Sequence, residues 1–178
     1  MQRRQFGPPK FGPRKMLQRA HRLMEVGDHA NAAVIFERLA RGAHDRGILN
    51  TAPHLFLQAA RANLLAEKTD RGLTMMCQGL EILAKSKRWL ALQRAGRRSV
   101  EELTVWGLSR QAEELADWLE KTLPKDTLEA RLNQVQSHRG QLPLKCQNCG
   151  GTLRSDEVEW IDRDTASCPY CGSAIRGV

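Results

Sequence analysis

Residues 27–40 read GDHANAAVIFERLA and contain the signals that decide the fold. Gly27 is a residue that ends helices readily, and the Asp28 side chain can accept hydrogen bonds from the first backbone N–H groups of a following helix. The apolar side chains that follow recur at spacings of three and four, which is the period of one helix face. They are Ala32, Ile35, Phe36 and Leu39. The stretch therefore predicts a tight turn between two paired helices.

This pattern returns at intervals of 40 residues, with small residues at 32, 72 and 112, apolar residues at 35, 75 and 115, and apolar or small residues at 39, 79 and 119. Three helical hairpins are therefore predicted, the third from about Arg88 to Leu123. Ser99 and Glu102 could form a capping box, which predicts a helix break near Gly96. One hairpin cannot bury its apolar face alone, whereas three stacked hairpins can. The expected fold is mainly α, a short α-solenoid, with a plain bundle of helical hairpins as the alternative.

The first hairpin resembles a tetratricopeptide repeat. Ala20, the turn GDHANA, Ala32 and Phe36 follow one another in the order that this family uses, whereas the other two hairpins match only in part. The period of 40 also differs from the roughly 34 residues of that family. The resemblance implies that the first helix of each hairpin lines a concave groove suited to an acidic, partly apolar peptide. The residues expected to face the groove are Leu57, Arg61, Leu64, Arg94 and Arg97.

Two Cys-x-x-Cys-Gly motifs lie at 146–150 and 168–172. Two cysteines three residues apart in a tight turn can direct both sulfurs at one ion, and the glycine that follows permits the positive φ that such a turn needs. Four protein ligands leave a tetrahedral ion no open position, which favours a structural role. The predicted ligands are Cys146, Cys149, Cys168 and Cys171.

The spacing of these motifs closely resembles a zinc ribbon, so one structural zinc ion is the expected cofactor. Between the motifs, residues 157–161 read EVEWI and predict a strand of a β-hairpin, with Val158 and Trp160 on one face and the two glutamates on the other. Trp160 and the acidic side chains are expected to form a second contact for a partner. Iron is the alternative, because CPYCG also looks like the second knuckle of a rubredoxin-type site.

The chain divides into three segments by composition. Residues 1–12 contain two Phe-Gly-Pro motifs among basic residues and are expected to be a flexible arm. Residues 13–140 are assigned to the helical repeats, with a capping helix predicted after Pro124. Residues 141–178 are assigned to the ribbon.

Charge is unevenly distributed around a net charge of +8. Residues 1–15 hold five Lys/Arg and no acid, whereas residues 146–178 hold three basic and five acidic residues. Residues 85–98 form a further basic stretch, which is either a solvated helix face or a site for an acidic peptide or a phosphate backbone. The candidate anion-binding residues are Lys85, Lys87, Arg88, Arg94 and Arg98.

No phosphate-binding glycine loop, nucleophile elbow or paired-carboxylate motif is present in the sequence. The five histidines are expected at the surface or at helix ends, and Cys77 is expected in the core. No apolar run is long enough to span a bilayer, and we expect a cytoplasmic protein in which the cysteines bind metal.

Three functional hypotheses remain. The first is a non-enzymatic, zinc-binding scaffold or adaptor whose repeats bind a protein partner. The second is a nucleic-acid-associated protein that uses the basic arm and the basic helix face. The third is a rubredoxin-like iron electron carrier.

Overall fold

The computed structural model describes residues 12–124, 141–155, 157–162 and 164–177. The described helices are α1 (Pro13–Glu25), α2 (His29–Asp45), α3 (Ala52–Leu65), α4 (Thr69–Lys85), α5 (Trp89–Val105) and α6 (Ser109–Thr122). The strands are β1 (Glu159–Trp160), β2 (Thr165–Ser167) and β3 (Ala174–Arg176). This confirms a mainly α fold of packed helical hairpins with a small C-terminal β module. The predicted arm, apart from Gly12, and the predicted capping helix lie outside the described residues.

The turns between the helices repeat every 20 residues. Gly27, Gly47, Glu67, Lys87 and Gly107 all have a positive φ, between 55° and 82°. After each, the next backbone N–H donates to a carbonyl five residues earlier, as from Asp28 to Leu23 at 2.9 Å and from residues 48, 68, 88 and 108 in the same way. This left-handed closure satisfies carbonyl groups that a helix end leaves free. The 40-residue period of the sequence is thus two such units.

Glycines within the helices let neighbouring helices approach closely. A Cβ added to Gly79 of α4 would lie 3.0 Å from the carbonyl oxygen of Pro53 and 3.2 Å from Cβ of Phe56, both on α3. A Cβ on Gly72 would lie 3.1 Å from the carbonyl oxygen of Ala60. The small residues of the repeat pattern are therefore required by the packing of α3 against α4.

Gly96 does not break its helix, so that prediction was wrong. Helix α5 runs continuously from Trp89 to Val105, and Ser99 is buried inside it. A Cβ on Gly96 would lie 2.5 Å from a methyl carbon of Leu119. The glycine thus makes room for a side chain of α6 instead of ending α5.

The core is rich in alanine and leucine and runs through all three hairpins. A polar cluster crosses it, in which the buried Asn63 donates to Glu37 at 2.9 Å and Arg71 donates to the same carboxylate at 2.8 Å. This cluster joins α2, α3 and α4.

The predicted core position of Cys77 was wrong, because its side chain is exposed on α4. The inward face of α4 is taken by Met75, Met76, Gly79 and Leu80.

The β module is a three-stranded antiparallel sheet in the order β1-β2-β3. Trp160 pairs with Ala166, and Ala166 pairs with Ile175. The predicted hairpin is present, and β3 is an addition that the sequence reasoning missed because three residues give too short a pattern. Val158 is buried and Glu159 is exposed, which fits the opposite faces that the alternation predicted. Within the described residues, no helix is long and apolar enough to cross a membrane.

We predict that Gly79→Ala destabilises the protein relative to Gly42→Ala. Both changes replace a helical glycine and gain the same intrinsic helix propensity, about 1 kcal/mol. The new methyl group at position 79 meets the backbone of Pro53, whereas at position 42 the nearest atoms belong to the mobile end of Arg46, 3.4 Å away. Urea unfolding should give a free energy of unfolding lower by about 1–3 kcal/mol for Gly79→Ala than for Gly42→Ala. Equal stability of the two variants would contradict the close packing.

Candidate metal centre and the cleft beside it

Each Cys-x-x-Cys motif forms the same turn. In the first, the backbone N–H of Cys146 donates to the carbonyl of Gly151, and the N–H of Gly150 donates to the carbonyl of Cys146, both at 2.8 Å. The second motif repeats these two bonds between residues 168 and 173 and between 172 and 168. Gly150 and Gly172 have φ values of 77° and 71°, in the left-handed region that glycine tolerates best. The glycines therefore set the shape of both turns, as predicted.

The four sulfur atoms of these turns converge, with all Sγ positions within 4.8 Å of one another. The Sγ atoms of Cys146 and Cys171 are 3.8 Å apart, and so are those of Cys149 and Cys168. A tetrahedral ion with bonds of about 2.3 Å separates its sulfur ligands by roughly 3.8 Å. A disulfide would need about 2.05 Å. The cluster thus fits a four-thiolate metal site, and this donor set suits either zinc or iron.

Polar groups around the sulfurs tie the metal site to the first helix. The Ser173 hydroxyl lies 3.1 Å from Sγ of Cys171, and the Asn148 amide donates to the same sulfur at 3.5 Å. The Asn148 carbonyl in turn accepts hydrogen bonds from Arg14 at 3.0 Å and from Gln18 at 2.9 Å. Hydrogen bonds to residues next to metal ligands orient those ligands. Helix α1 therefore supports the first Cys-x-x-Cys turn.

Tyr170, inside the second knuckle, packs onto the helices. Its ring centroid is 5.3 Å from that of His21, and its hydroxyl accepts a hydrogen bond from Gln58 at 3.0 Å. Burial raises the pKa of the Tyr170 hydroxyl. A Cβ on Gly151 would lie 2.5 Å from the tyrosine ring and 2.8 Å from Nε2 of His21. The ribbon is thus seated against α1 and α3 at close range.

A chain of alternating charges extends this contact to α5. Arg61 of α3 donates to Glu102 at 2.6 Å, and Glu102 also accepts from Arg98 at 3.0 Å. Arg98 then forms an ion pair with Glu157 of the ribbon, where each side chain is only about one-fifth exposed. Partly buried pairs of this kind are costly to break, because the remaining charge is left without a partner.

Two further ion pairs lie at the edges of the docked ribbon. Arg88, at the start of α5, is 3.5 Å from Glu159. Lys145 forms a pair with Glu25, at the end of α1. The ribbon therefore contacts α1, α3 and α5, the first helix of each hairpin.

A cleft of about 430 Å³ lies between the ribbon and helices α3 and α5. Four of the six residues predicted to contact a partner line this cleft: Leu57, Arg61, Arg94 and Trp160. The remaining two do not. Leu64 packs against Gly72, and Arg97 is exposed.

The five candidate anion-binding residues lie in different surroundings. Arg88 and Arg98 face carboxylates of the ribbon. Lys85 is 3.3 Å from Glu81 on its own helix. Lys87 is exposed in the turn before α5, where it lines the rim of the cleft together with Arg94.

The prediction that the histidines lie at the surface or at helix ends was wrong for His21, which is partly buried in the middle of α1. It was correct in position for His54, which lies in the first turn of α3 and is also partly buried. Burial lowers the pKa of each to about 4, and the Arg88 charge adds to the effect at His54. His21 also packs edge-on against Phe36, with ring centroids 5.2 Å apart. The signal was present in the sequence, since position 21 falls on the apolar face of α1, four residues after Leu17.

We predict that Cys149→Ser lowers the stability of the helices as well as that of the ribbon. Without a complete ligand set the ribbon loses its metal, and Tyr170 leaves the helical face. The loss of about 2 kcal/mol or more should lower the midpoint of helical melting by roughly 5 °C or more, measured by circular dichroism. Cys77→Ser is the matched control, because the same change falls on an exposed residue of α4. Unchanged helical melting in Cys149→Ser would show that the ribbon is a separate folding unit.

We predict that the His54→Gln variant loses less stability than wild type as the pH is lowered from 6.5 towards 4. His54 stays neutral in the folded protein down to about pH 4, whereas in the unfolded chain it accepts a proton near pH 6.5. The unfolded state therefore binds more protons in this window, and stability falls as the pH is lowered from 6.5 towards 4. The difference in unfolding free energy between wild type and variant should change by up to about 1.4 kcal/mol per pH unit. Both proteins keep the four cysteines, so acid release of the metal cancels in the comparison.

No protein-family model, no curated protein and no solved structure matches this chain. The resemblance to tetratricopeptide repeats and zinc ribbons therefore rests on the residues themselves, together with the six packed helices of the described residues and the four-cysteine cluster.

Proposed function

We propose that the protein is a non-enzymatic, zinc-binding adaptor whose helical repeats and ribbon together bind a protein partner. The observation that carries this proposal is the docking of the ribbon onto α1, α3 and α5 through Tyr170 and Glu157. This docking brings Trp160 to the same cleft as Leu57 and Arg61. The ribbon and the repeats then present one composite surface instead of two separate ones.

The ligand set supports a structural role for the metal. Cys146, Cys149, Cys168 and Cys171 fill a tetrahedral shell, which leaves no position for a reacting water molecule. A bound ion supplies folding energy to a module that is too small for a useful core of its own. Its contribution to binding is to hold Tyr170 and Glu157 against the helices.

Zinc in the cytoplasm is the simplest assignment for this site. The four clustered cysteines are spaced for a metal ion and not for disulfides, and Cys77 is also outside any disulfide, which suits a reducing compartment. Metal analysis of the purified protein should give about one zinc per chain. A red protein with one iron per chain would favour the electron-carrier hypothesis.

Nucleic-acid binding is the second candidate, and it is favoured by the exposed side of α1. Lys15, Arg19 and Arg22 are exposed and lie at spacings of four and three, so they share one side of the helix. In the sequence, these three residues overlap and follow the basic stretch of residues 1–15. On this alternative, replacing the three residues by Glu should weaken RNA binding and reduce its dependence on salt.

The adaptor proposal predicts that partner capture depends on the metal site and survives nuclease treatment. Zinc-loaded wild type, Cys149→Ser and Cys77→Ser are immobilised and exposed to a nuclease-treated lysate of the native cell. Wild type and Cys77→Ser should retain the same protein, and Cys149→Ser should lose it. Loss of all captured material after nuclease treatment would favour the nucleic-acid alternative. Equal capture by Cys149→Ser would remove the ribbon from the binding surface.

A further inference from the structure

The cleft between the ribbon and α5 has two apolar walls of different origin. Leu57 comes from α3, while Trp89 and Leu90 come from the first turn of α5. Val158 and Trp160 form the facing wall and belong to the ribbon. A volume of about 430 Å³ lies within the usual range of ligand pockets. The walls can therefore enclose an apolar side chain between the two modules.

Positive charge is in excess around these walls. Five cationic side chains line the cleft, against the three carboxylates of Glu102, Glu157 and Glu159. The cations are Arg61, Lys87, Arg88, Arg94 and Arg98. The excess attracts carboxylates and disfavours a cationic ligand.

The ribbon itself indicates which chemistry the helix face accepts. Glu157 and Glu159 flank Val158, and they pair with Arg98 and Arg88 while Val158 lines the cleft. An acidic–apolar–acidic segment is thus already held against α5. From this we infer that the cleft binds a partner segment of the same kind, an acidic peptide with an apolar anchor side chain. This inference rests on the proposed adaptor function and specifies its ligand and its site.

A nucleic-acid strand fits this cleft less well than such a peptide. Its phosphates would pass Glu159, whose side chain is 63% exposed at the edge of the cleft. A short acidic peptide need not run past Glu159, and one of its carboxylates can be directed at the exposed Lys87 while its anchor side chain enters between the tryptophans. Charge and shape therefore favour the peptide.

The composite origin of the cleft couples peptide binding to the metal. Val158 and Trp160 hold their positions only while the ribbon is folded around its ion. Binding couplings are reciprocal, so a bound peptide also raises the affinity of the chain for the metal. The ribbon thus forms part of the peptide site and does not block it.

The probe for this inference is the synthetic peptide acetyl-GELEFEG-amide, added to the zinc-loaded protein labelled with ¹⁵N. The chain has four tryptophans, and their indole N–H signals serve as reporters. The signals of Trp89 and Trp160 should shift, because these residues line the cleft. Those of Trp106 and Trp118 should not shift and serve as internal controls. A glutamine version, acetyl-GQLQFQG-amide, should bind about tenfold more weakly or worse, as expected on losing a few charge contacts.

A pair of charge reversals tests the rim of the cleft. Lys87→Glu should weaken peptide binding by about fivefold or more. This change keeps the turn, because Glu67 already occupies the equivalent left-handed position with φ 60° against 55° for Lys87. Lys15→Glu makes the same change of charge on α1, away from the cleft, and should weaken binding by less than about twofold.

Removal of the metal with a chelator should abolish the peptide-induced shift at Trp89. Equal or tighter peptide binding after chelation would overturn the inference, since the ribbon would then block the helices instead of completing the site. The adaptor proposal fails by a different result, which is capture of the protein partner that does not depend on the metal. Equal weakening by Lys87→Glu and Lys15→Glu, or no shift at Trp89 and Trp160, would also overturn the inference. So would shifts produced by single-stranded RNA and not by the peptide.

Discussion

The convergence of four sulfur atoms from two Cys-x-x-Cys turns is the constraint on which the rest of the C-terminal architecture depends. Three short strands cannot hold their relative positions through a core of their own. A tetrahedral ion bound by the four cysteines would supply the missing crosslink between residues 146–149 and 168–171. Once the two turns are joined, Tyr170 and Glu157 are presented together to the helical face. A metal ion held by these cysteines would thus also determine which surface the helices expose.

The docked ribbon shows that the basic face of α5 makes contacts within the protein. Arg98 and Arg88 are arranged around carboxylates of the same chain, so their first role is internal. An intramolecular partner is present at high effective concentration and can be held by contacts that would be weak between separate molecules. The opposite charges of the two segments, which are visible in the sequence, therefore describe a contact within the protein before any contact outside it.

The sequence predicted the helices and the metal ligands because both are local patterns. The helical period and the Cys-x-x-Cys spacing need only neighbouring residues. The left-handed conformation of Glu67 and Lys87 could not be read from the sequence, since neither position carries the glycine that marks the other closures. Gly96 was misread because its partner, Leu119, belongs to another helix.

The docking itself could not be derived from the sequence. The contacts that establish it join residues far apart in the chain, 112 positions in the case of Gln58 and Tyr170. Charge complementarity identified an acidic ribbon and a basic helix face, yet it applied equally to a partner molecule. Whether the basic face binds the ribbon or a partner molecule depends on the shapes of both surfaces. Close contacts such as that of Gly151 with Tyr170 and His21 determine this fit. No spacing rule records such a fit.

The left-handed closure that recurs every 20 residues has a consequence for how this chain can vary in length. Each closure ends its helix at a set rotation, so adding or removing one residue inside a helix turns every later element by about 100° about that axis. Such a change would carry α5 away from the ribbon. The connection between α2 and α3 differs, because it holds residues 49–51 beyond its closure, before α3 begins at Ala52. Homologues with insertions should therefore place them in this connection, where extra residues leave the helical register intact.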